Sequence, residues 1–318
     1  MDSSLKERCT SAINDLTAGM APKVSQVGNA TWPPIVLVTP VYNSAHYIEQ
    51  TIRSVLDQRY SNLEYFIIDG GSTDGTVEII RKYEKEISGW ISEPDRGMYD
   101  ALNKGFAKSS NELMGWISAT DVLHPFSLFV VGSVFRTFPG VEWITGNPTM
   151  VDELGMTVEV QRLPHWSRAR VLMGANRHIQ QESTFWRRSL WEKAGGRTED
   201  SLRGGGDFEL WLRFFRHAQL YSVDALIGAW RLHSDSLGWT NMDFYNKLFD
   251  ELIEAELARI PGGSCIRAFR LLAGAMMRAR GFRRIWSDVV VRALYRLPGP
   301  DWTPTIRFRH QQGWVMTK

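Results

Sequence analysis

A repeated grammar between residues 33 and 118 most constrains the fold. "PPIVLVTPVYN" is a short β-branched run after a Pro pair, the pattern of a fully buried strand. "AHYIEQTIRSVLDQ" follows, with Ile48, Ile52, Val55 and Leu56 at helical spacing. "LEYFIIDGGSTDGT" repeats the unit as a strand, a Gly turn and a helix carrying Val77, Ile80 and Tyr83. A third strand ends at "WISEPD", a helix runs through "MYDALNKGFAKS", and a fourth strand is "LMGWIS". Strands alternating with helices predict an α/β fold, a parallel sheet with helices on both faces. In such sheets a ligand sits beyond the carboxyl ends of the strands. The turns "TPVYN", "DGGSTD", "SEPDRG" and "SATD" all lie at such ends and converge on one site.

The turns exclude two ligand modes. No G-x-G-x-x-G follows the first strand, and there is no G-x-x-x-x-G-K-[ST] loop. Taken alone, "DGGSTDGT" reads as a capped loop, with Ser72, Thr73 or Asp74 meeting free helix N–H groups. Asp69 is different, because a carboxylate closing a buried strand needs a partner. The N–H edge of a nucleobase would be one.

Three stretches together, "TPVYNSAHYIEQTIRSVLDQRYSNLEYFIIDGGSTDGT", "SEPDRGMYDALNKG" and "GGDFELWLRF", resemble the family 2 glycosyltransferases. These are inverting enzymes of the GT-A fold, a Rossmann-like nucleotide-binding sheet, and they use nucleotide-sugar donors. The resemblance covers roughly residues 33 to 235, and the order of its motifs makes it specific. It implies a GT-A domain over 32–240, with a nucleotide half at about 32–125 and an acceptor half at about 126–240. It also implies that Thr39, Pro40, Val41, Tyr42 and Asn43 lie along the donor nucleotide and that Asp69 contacts its base. Asp95 and Arg96 would border the nucleotide, and Lys104 would offset phosphate charge. The acceptor would be a glycan or a lipid-linked saccharide.

"GWISATDVLHP" departs from the family pattern. Related chains place the acids that contact the ribose and the metal near where Ser118 and Thr120 stand here, so Thr120 is a nucleotide-binding candidate and Asp121 the only carboxylate left. A bound Mn²⁺ or Mg²⁺ needs hard oxygen ligands, so the dependence on a divalent cation is in question. Two arrangements are open. Asp121, with His233 of "WRLHSDSLG", holds a cation completed by the diphosphate itself. Alternatively Lys104, Arg96 or Arg203 neutralises the leaving group without metal. The first is the expectation, since one carboxylate plus substrate oxygens is a common Mg²⁺ arrangement.

"RGGGDFELWLRFFRHA" carries the second motif. Inverting transfer is a single displacement, so one carboxylate must take the acceptor's proton. Asp207, at a helix start beside a Gly loop expected to be flexible, is either that base or a plain helix cap; with the resemblance it reads as the base. "NRHIQQESTFWRRSLWEKAGG" resembles an acceptor-side wall, with His178, Gln181 and Glu182 as hydrogen-bonding groups and Trp186 as a stacking surface. Large aromatics are more often core, and Trp191 reads as such.

Charge is uneven. Residues 261–318 hold 11 Lys and Arg against 2 Asp and Glu, although the chain's formal net charge is only +2. Ile266, Phe269 and Leu272, then Ile285, Val289 and Tyr295, predict amphipathic helices with a basic face in a helical C-terminal region, 241–318. That tail either packs on the main domain or meets an anionic membrane surface. No recognition motif accompanies the charge, so nucleic acid is not expected. Residues 1–31 read as a polar leader without a signal peptide, and the longest apolar run is too short to span a bilayer. Cys9 and Cys265 read as ordinary reduced thiols. The expected location is the cytoplasm, free or peripheral on the inner membrane face. The competing function is a non-catalytic nucleotide-sugar-binding or scaffold protein that has lost its metal site. Retention of Asp207 argues for the enzyme.

Overall fold

The computed structural model describes residues 31–164, 166–174, 177–233, 242–260, 263–264, 266–268, 270–271 and 304–317. Nearly all of the polar leader, both cysteines, and the stretch 272–303 that carries most of the predicted amphipathic tail lie outside the described residues. Pro33 to Lys318 belong to one compact unit.

The repeated grammar folds as expected. β1 (Ile35–Val41), β2 (Leu63–Asp69), β3 (Gly89–Ser92) and β4 (Leu113–Trp116) are parallel neighbours in the order β3-β2-β1-β4. α1 (Ile48–Leu56), α2 (Thr76–Lys82) and α3 (Met98–Phe106) connect them. β1 is central and buried along its whole length, as a continuous apolar run demands in a sheet covered on both faces. β5 (Val122–Leu123) and α4 (Ser127–Thr137) follow β4.

Beyond β4 the sheet changes character. β9 (Thr184–Arg187) pairs antiparallel with β4 and with β6 (Trp143–Thr145), and β10 (Leu220–Ser222) closes the edge parallel to β6. The result is a seven-stranded mixed sheet. A second, four-stranded sheet runs β5-β11-β7-β8, built from β7 (Thr149–Val151), β8 (Thr157–Val160) and β11 (Gly228–Arg231). Further helices are α5 (Arg168–Leu172), α6 (Arg188–Lys193), α7 (Gly206–Phe214) and α8 (Met242–Leu257).

The core is dominated by indoles. Trp116, Trp143, Trp186 and Trp211 are all fully buried, and Trp116 stacks on Trp211 with ring centroids 5.5 Å apart. Trp186 lies 5.3 Å from Trp116 and 5.6 Å from Phe214. β9 thereby joins the two halves of the sheet through side chains as well as hydrogen bonds.

The C-terminal region is not helical throughout. α8 is, but β12 (Thr305–Arg309) and β13 (Gly313–Thr317) form an antiparallel hairpin. β-branched and aromatic residues dominate "TIRFR" and "GWVMT", and Gln311 and Gly313 take the positive φ values that the turn needs. The hairpin extends the main unit. Val223 bridges to Ile306, Arg307 pairs with Asp224 at 3.1 Å, and the Trp314 indole donates to Ser133 Oγ at 3.0 Å. Among the described residues no helix is long and apolar enough to cross a membrane.

Candidate functional site

The carboxyl ends of β1, β2 and β3 meet as the sequence predicts, and short polar contacts stitch their turns together. Asn43, in a left-handed conformation (φ 45°), donates its N–H to Ser72 Oγ at 2.7 Å and accepts from the Thr73 N–H at 2.9 Å. Ser44 N–H donates to Thr76 Oγ1, and Ala45 N–H to Asp74 Oδ2. In the first turn only Tyr42, 65% exposed, and Asn43 face solvent. Thr39, Pro40 and Val41 point into the fold, and the Thr39 hydroxyl bonds the Tyr65 hydroxyl at 2.9 Å. Their side chains belong to the core of β1, so along a nucleotide these three would present backbone.

Asp69 is fully buried and its partners are internal. Oδ2 accepts from the N–H groups of Gly71 (3.1 Å) and Ser72 (3.0 Å) and from Ser92 Oγ (2.6 Å), while Oδ1 accepts from Ser72 Oγ. The carboxylate's need for donors is met by its own turn and by Ser92 at the end of β3. Asp95 sits above it: a Cβ on Gly70 would lie 3.0 Å from Asp95 Oδ2, so Gly70 leaves the space that this carboxylate fills. Asp95 Oδ1 accepts from the Gly97 N–H. Asp95 is half-buried, at the mouth of the turns.

The predicted phosphate cations are largely engaged. Arg96 reaches Asp100 at 2.8 Å and Asp200 at 2.5 Å, and Lys104 reaches Glu93 at 2.8 Å and Asp100 at 3.5 Å. Arg203 is exposed and makes no ion pair among the described residues.

The degenerate turn after β4 is held from beneath by a residue that sequence reading did not single out. Arg231 is 0% exposed. Its Nε donates to the Thr120 carbonyl (2.5 Å), Nη1 to the carbonyls of Asp152 and Glu153 (2.9 Å each), and Nη2 to Gln50 Oε1 (2.5 Å). The Tyr47 ring lies 5.1 Å from the guanidinium carbon. The available signal was a charge inside the apolar run "LIGAWRL", since a buried Arg must be fully hydrogen-bonded.

Asp121 is 2% exposed. Oδ1 accepts from the Arg231 N–H at 3.0 Å, and Oδ2 accepts from Gln181 Nε2 at 3.2 Å, an amide shared with Ser118 Oγ. Burial pushes its pKa up to about 7 against the opposing charge of Arg231. His233 packs its ring 5.3 Å from Tyr47. No group of three His, Cys, Asp or Glu among the described residues is arranged to hold a cation. The turn's one carboxylate, Asp121, is turned inward with both oxygens engaged, so a cation on Asp121 and His233 would take its remaining ligands from the diphosphate.

Asp207 begins α7 as predicted, but its glycine loop is closely packed rather than flexible. A Cβ on Gly206 would lie 2.7 Å from the Tyr99 ring, and one on Gly204 would lie 2.9 Å from Tyr245. Gly205 has φ +68°. The glycines are there because aromatic rings occupy the side-chain space. Asp207 is half-buried, and burial raises its pKa.

The acceptor wall divides. Trp186 is 0% exposed inside the indole core, so its stacking role is corrected: β9 turns it toward Trp116 and away from solvent. His178 is exposed, with its ring edge on Phe249, and its charge bears on Asp207. Gln181 and Glu182 sit on a 3-10 turn (Gln181–Ser183). Oε1 of each is buried with no partner among the described residues, an arrangement that native folds rarely leave without a purpose. Glu182 lies within electrostatic reach of both Asp121 and Asp207, and burial holds its pKa well above the usual carboxylate range.

Glu182 therefore keeps its proton to higher pH folded than unfolded, where glutamate ionises at about 4.3. The folded chain binds more protons above that pH, so stability falls as pH rises until the folded group ionises too. The melting temperature is expected to drop between pH 5 and pH 8, and to drop less in Glu182→Gln. Equal slopes in the two proteins would contradict this.

Residues 36–129 match the family model described as Glycosyl transferase family 2. An uncharacterized glycosyltransferase of Mycobacterium tuberculosis is 37% identical over 90 residues, 28% of this chain and 34% of that one. The poly-β-1,6-N-acetyl-D-glucosamine synthase of Staphylococcus epidermidis is 27% identical over 205 residues, 62% of this chain and 49% of its own. This chain thus spans about a third of the length of the first curated relatives it matches. Among solved structures, residues 1–349 of S. aureus TarS in complex with UDP-GlcNAc superpose with a TM-score of 0.59 at 17% identity, covering 78% of this chain and 75% of that one. The mannosyltransferase PcManGT from Pyrobaculum calidifontis, in complex with GDP-Man and Mn²⁺, gives 0.53 at 17% identity, covering 83% and 81%.

Proposed function

From a chain that belongs to glycosyl transferase family 2 and carries the GT-A fold, we propose an inverting glycosyltransferase. It moves a sugar from a nucleoside diphosphate donor to a hydroxyl of a glycan or lipid-linked acceptor. The placement of Asp207 carries the reading: a half-buried carboxylate at the start of α7, within electrostatic reach of the buried Glu182. In the step, the acceptor oxygen bonds to the anomeric carbon as the carbon–oxygen bond to the diphosphate breaks. The acceptor's proton passes to Asp207, and the nucleoside diphosphate leaves. Gln181 and Glu182 would orient sugar hydroxyls, with His178 at the acceptor side. The relatives' UDP-GlcNAc and GDP-Man complexes support a diphosphate-sugar donor.

The nucleotide lies on the exposed part of the turns, over Tyr42, Asn43 and Asp95. Since Asp69 is engaged by its own turn and by Ser92, Asp95 is the carboxylate that meets the base. Asp95→Ala is expected to weaken nucleoside diphosphate binding by about 1.5–3 kcal/mol with the melting temperature kept, whereas Asp69→Ala should lower both. Calorimetry and thermal melts on the two variants decide it, and unchanged affinity in Asp95→Ala would remove Asp95 from the site.

PcManGT was solved with Mn²⁺, and a cation here would have to draw most of its ligands from the diphosphate. Arg203 is the exposed cation nearest in sequence to the base loop and would take up part of the leaving charge. A panel of UDP- and GDP-sugars scored by nucleotide release, with and without EDTA, tests the function. Release from no donor, with nucleotide binding intact, would favour the non-catalytic reading that the inward-turned Asp121 suggests.

A further inference from the structure

Tyr99, in the first turn of α3, is buried at 4% exposure, and its hydroxyl meets the start of α7. The oxygen accepts from the Gly206 N–H at 2.8 Å and the Asp207 N–H at 3.3 Å, and lies 3.4 Å from Asp207 Oδ1. A phenol has one proton and two lone pairs. Both lone pairs are taken by N–H groups, so the proton has one place to go, the Asp207 carboxylate. Gly206 is part of the same device, because any side chain there would collide with the ring at 2.7 Å.

We propose that Tyr99 is the positioning residue for Asp207, fixing the carboxylate's rotamer and donating a hydrogen bond to its charged form. The inference rests on the reading of Asp207 as the base. It also connects the two halves of the site, since Tyr99 follows Asp95, Arg96 and Gly97 by a few residues and its carbonyl accepts from Thr198 Oγ1 at 2.8 Å. A base held by the same segment that borders the donor is aligned with the anomeric carbon by the fold itself, which is how positioning lowers a barrier.

The groups that act on Asp207 come from four directions. Tyr99 stands on α3, Tyr245 on α8, His178 on the loop before the 3-10 turn, and Glu182 on that turn. Burial raises the pKa of Asp207, while the Tyr99 hydrogen bond and the His178 charge lower it. Removing the hydroxyl leaves burial less opposed, so the carboxyl should ionise at higher pH.

The test uses the full chain labelled with ¹³C at aspartate Cγ and tyrosine Cζ. The Asp207 and Tyr99 signals are assigned by their loss in Asp207→Asn and Tyr99→Phe. In the unsubstituted protein the Tyr99 Cζ shift is expected to titrate with the Asp207 midpoint. In Tyr99→Phe that midpoint should rise by about half a pH unit or more. Where a donor turns over, kcat should fall about tenfold with KM for the donor held within twofold, and the acid limb of the profile should move with the midpoint. An unmoved Asp207 midpoint in a folded Tyr99→Phe protein overturns the proposal. So does a Tyr99 signal indifferent to the Asp207 titration, which needs no variant to fold beyond those used for assignment. Normal turnover in Asp207→Asn would instead remove the base reading and leave the titration result standing.

Discussion

Asp207→Asn is expected to lower sugar-transfer turnover by at least about a hundredfold, the scale of losing a general base, while leaving donor affinity and the fold in place. The amide keeps the size of the carboxylate and can still accept from Tyr99. What it cannot do is take a proton from the acceptor hydroxyl. The loss should therefore appear in kcat and not in the donor's KM. Steady-state kinetics on the best donor, with calorimetry of the nucleoside diphosphate, separates the two. Turnover within a few-fold of the unsubstituted protein would leave Asp207 as a helix cap.

The second large effect is expected from Arg231→Met, which should cost about 3–5 kcal/mol of stability, since several buried acceptors lose their donor at about 1–3 kcal/mol each. The methionine fills part of the space but strands the carbonyls of Thr120, Asp152 and Glu153 and the Gln50 amide oxygen. It also leaves Asp121 without the charge that opposes its burial. Arg231→Lys should recover little of this, since one ammonium cannot reproduce a planar fork that reaches Thr120, Gln50 and the turn after β7 at once. Urea unfolding of the three proteins measures the difference. A loss below about 1 kcal/mol in Arg231→Met would show that the turn after β4 does not depend on the guanidinium.

The two predictions concern residues that differ in how visible they are in the sequence. Asp207 stands out because it opens a helical pattern after three glycines. Arg231 is one basic residue among many, and its burial follows only from the meeting of β11, the turn after β4 and the β7–β8 hairpin. Tyr99 is likewise hidden, because "MYDALNKG" predicts its helix but not the approach of α7 to its hydroxyl.

The strand-turn-helix repeat was legible because period and burial agree locally: β1 is apolar throughout and α1 carries its apolar stripe at Ile48, Ile52 and Val55. The convergence of the turns followed from the parallel topology alone. The packing of Trp186 was not legible, since an aromatic on a strand faces core or ligand according to what lies opposite, and here Trp116 and Trp211 do. The C-terminal hairpin was missed for a related reason. Arginines at helical intervals farther upstream gave the whole tail one reading, while "TIRFR" and "GWVMT" pair only because the chain turns at Gln311 to Gly313.

By itself, then, the sequence determined the order of elements, the end of the sheet where the polar turns meet, and the carboxylate at the start of α7. These depend on local periodicity and on residue types at strand ends. The tertiary structure decided which acids are available for chemistry. Asp69 and Asp121 are carboxylates at strand ends like Asp95, yet their oxygens are taken by a backbone turn, by Arg231 and by Gln181. A carboxylate's availability depends on which donors the fold brings to it, and those donors lie tens of residues away in the chain.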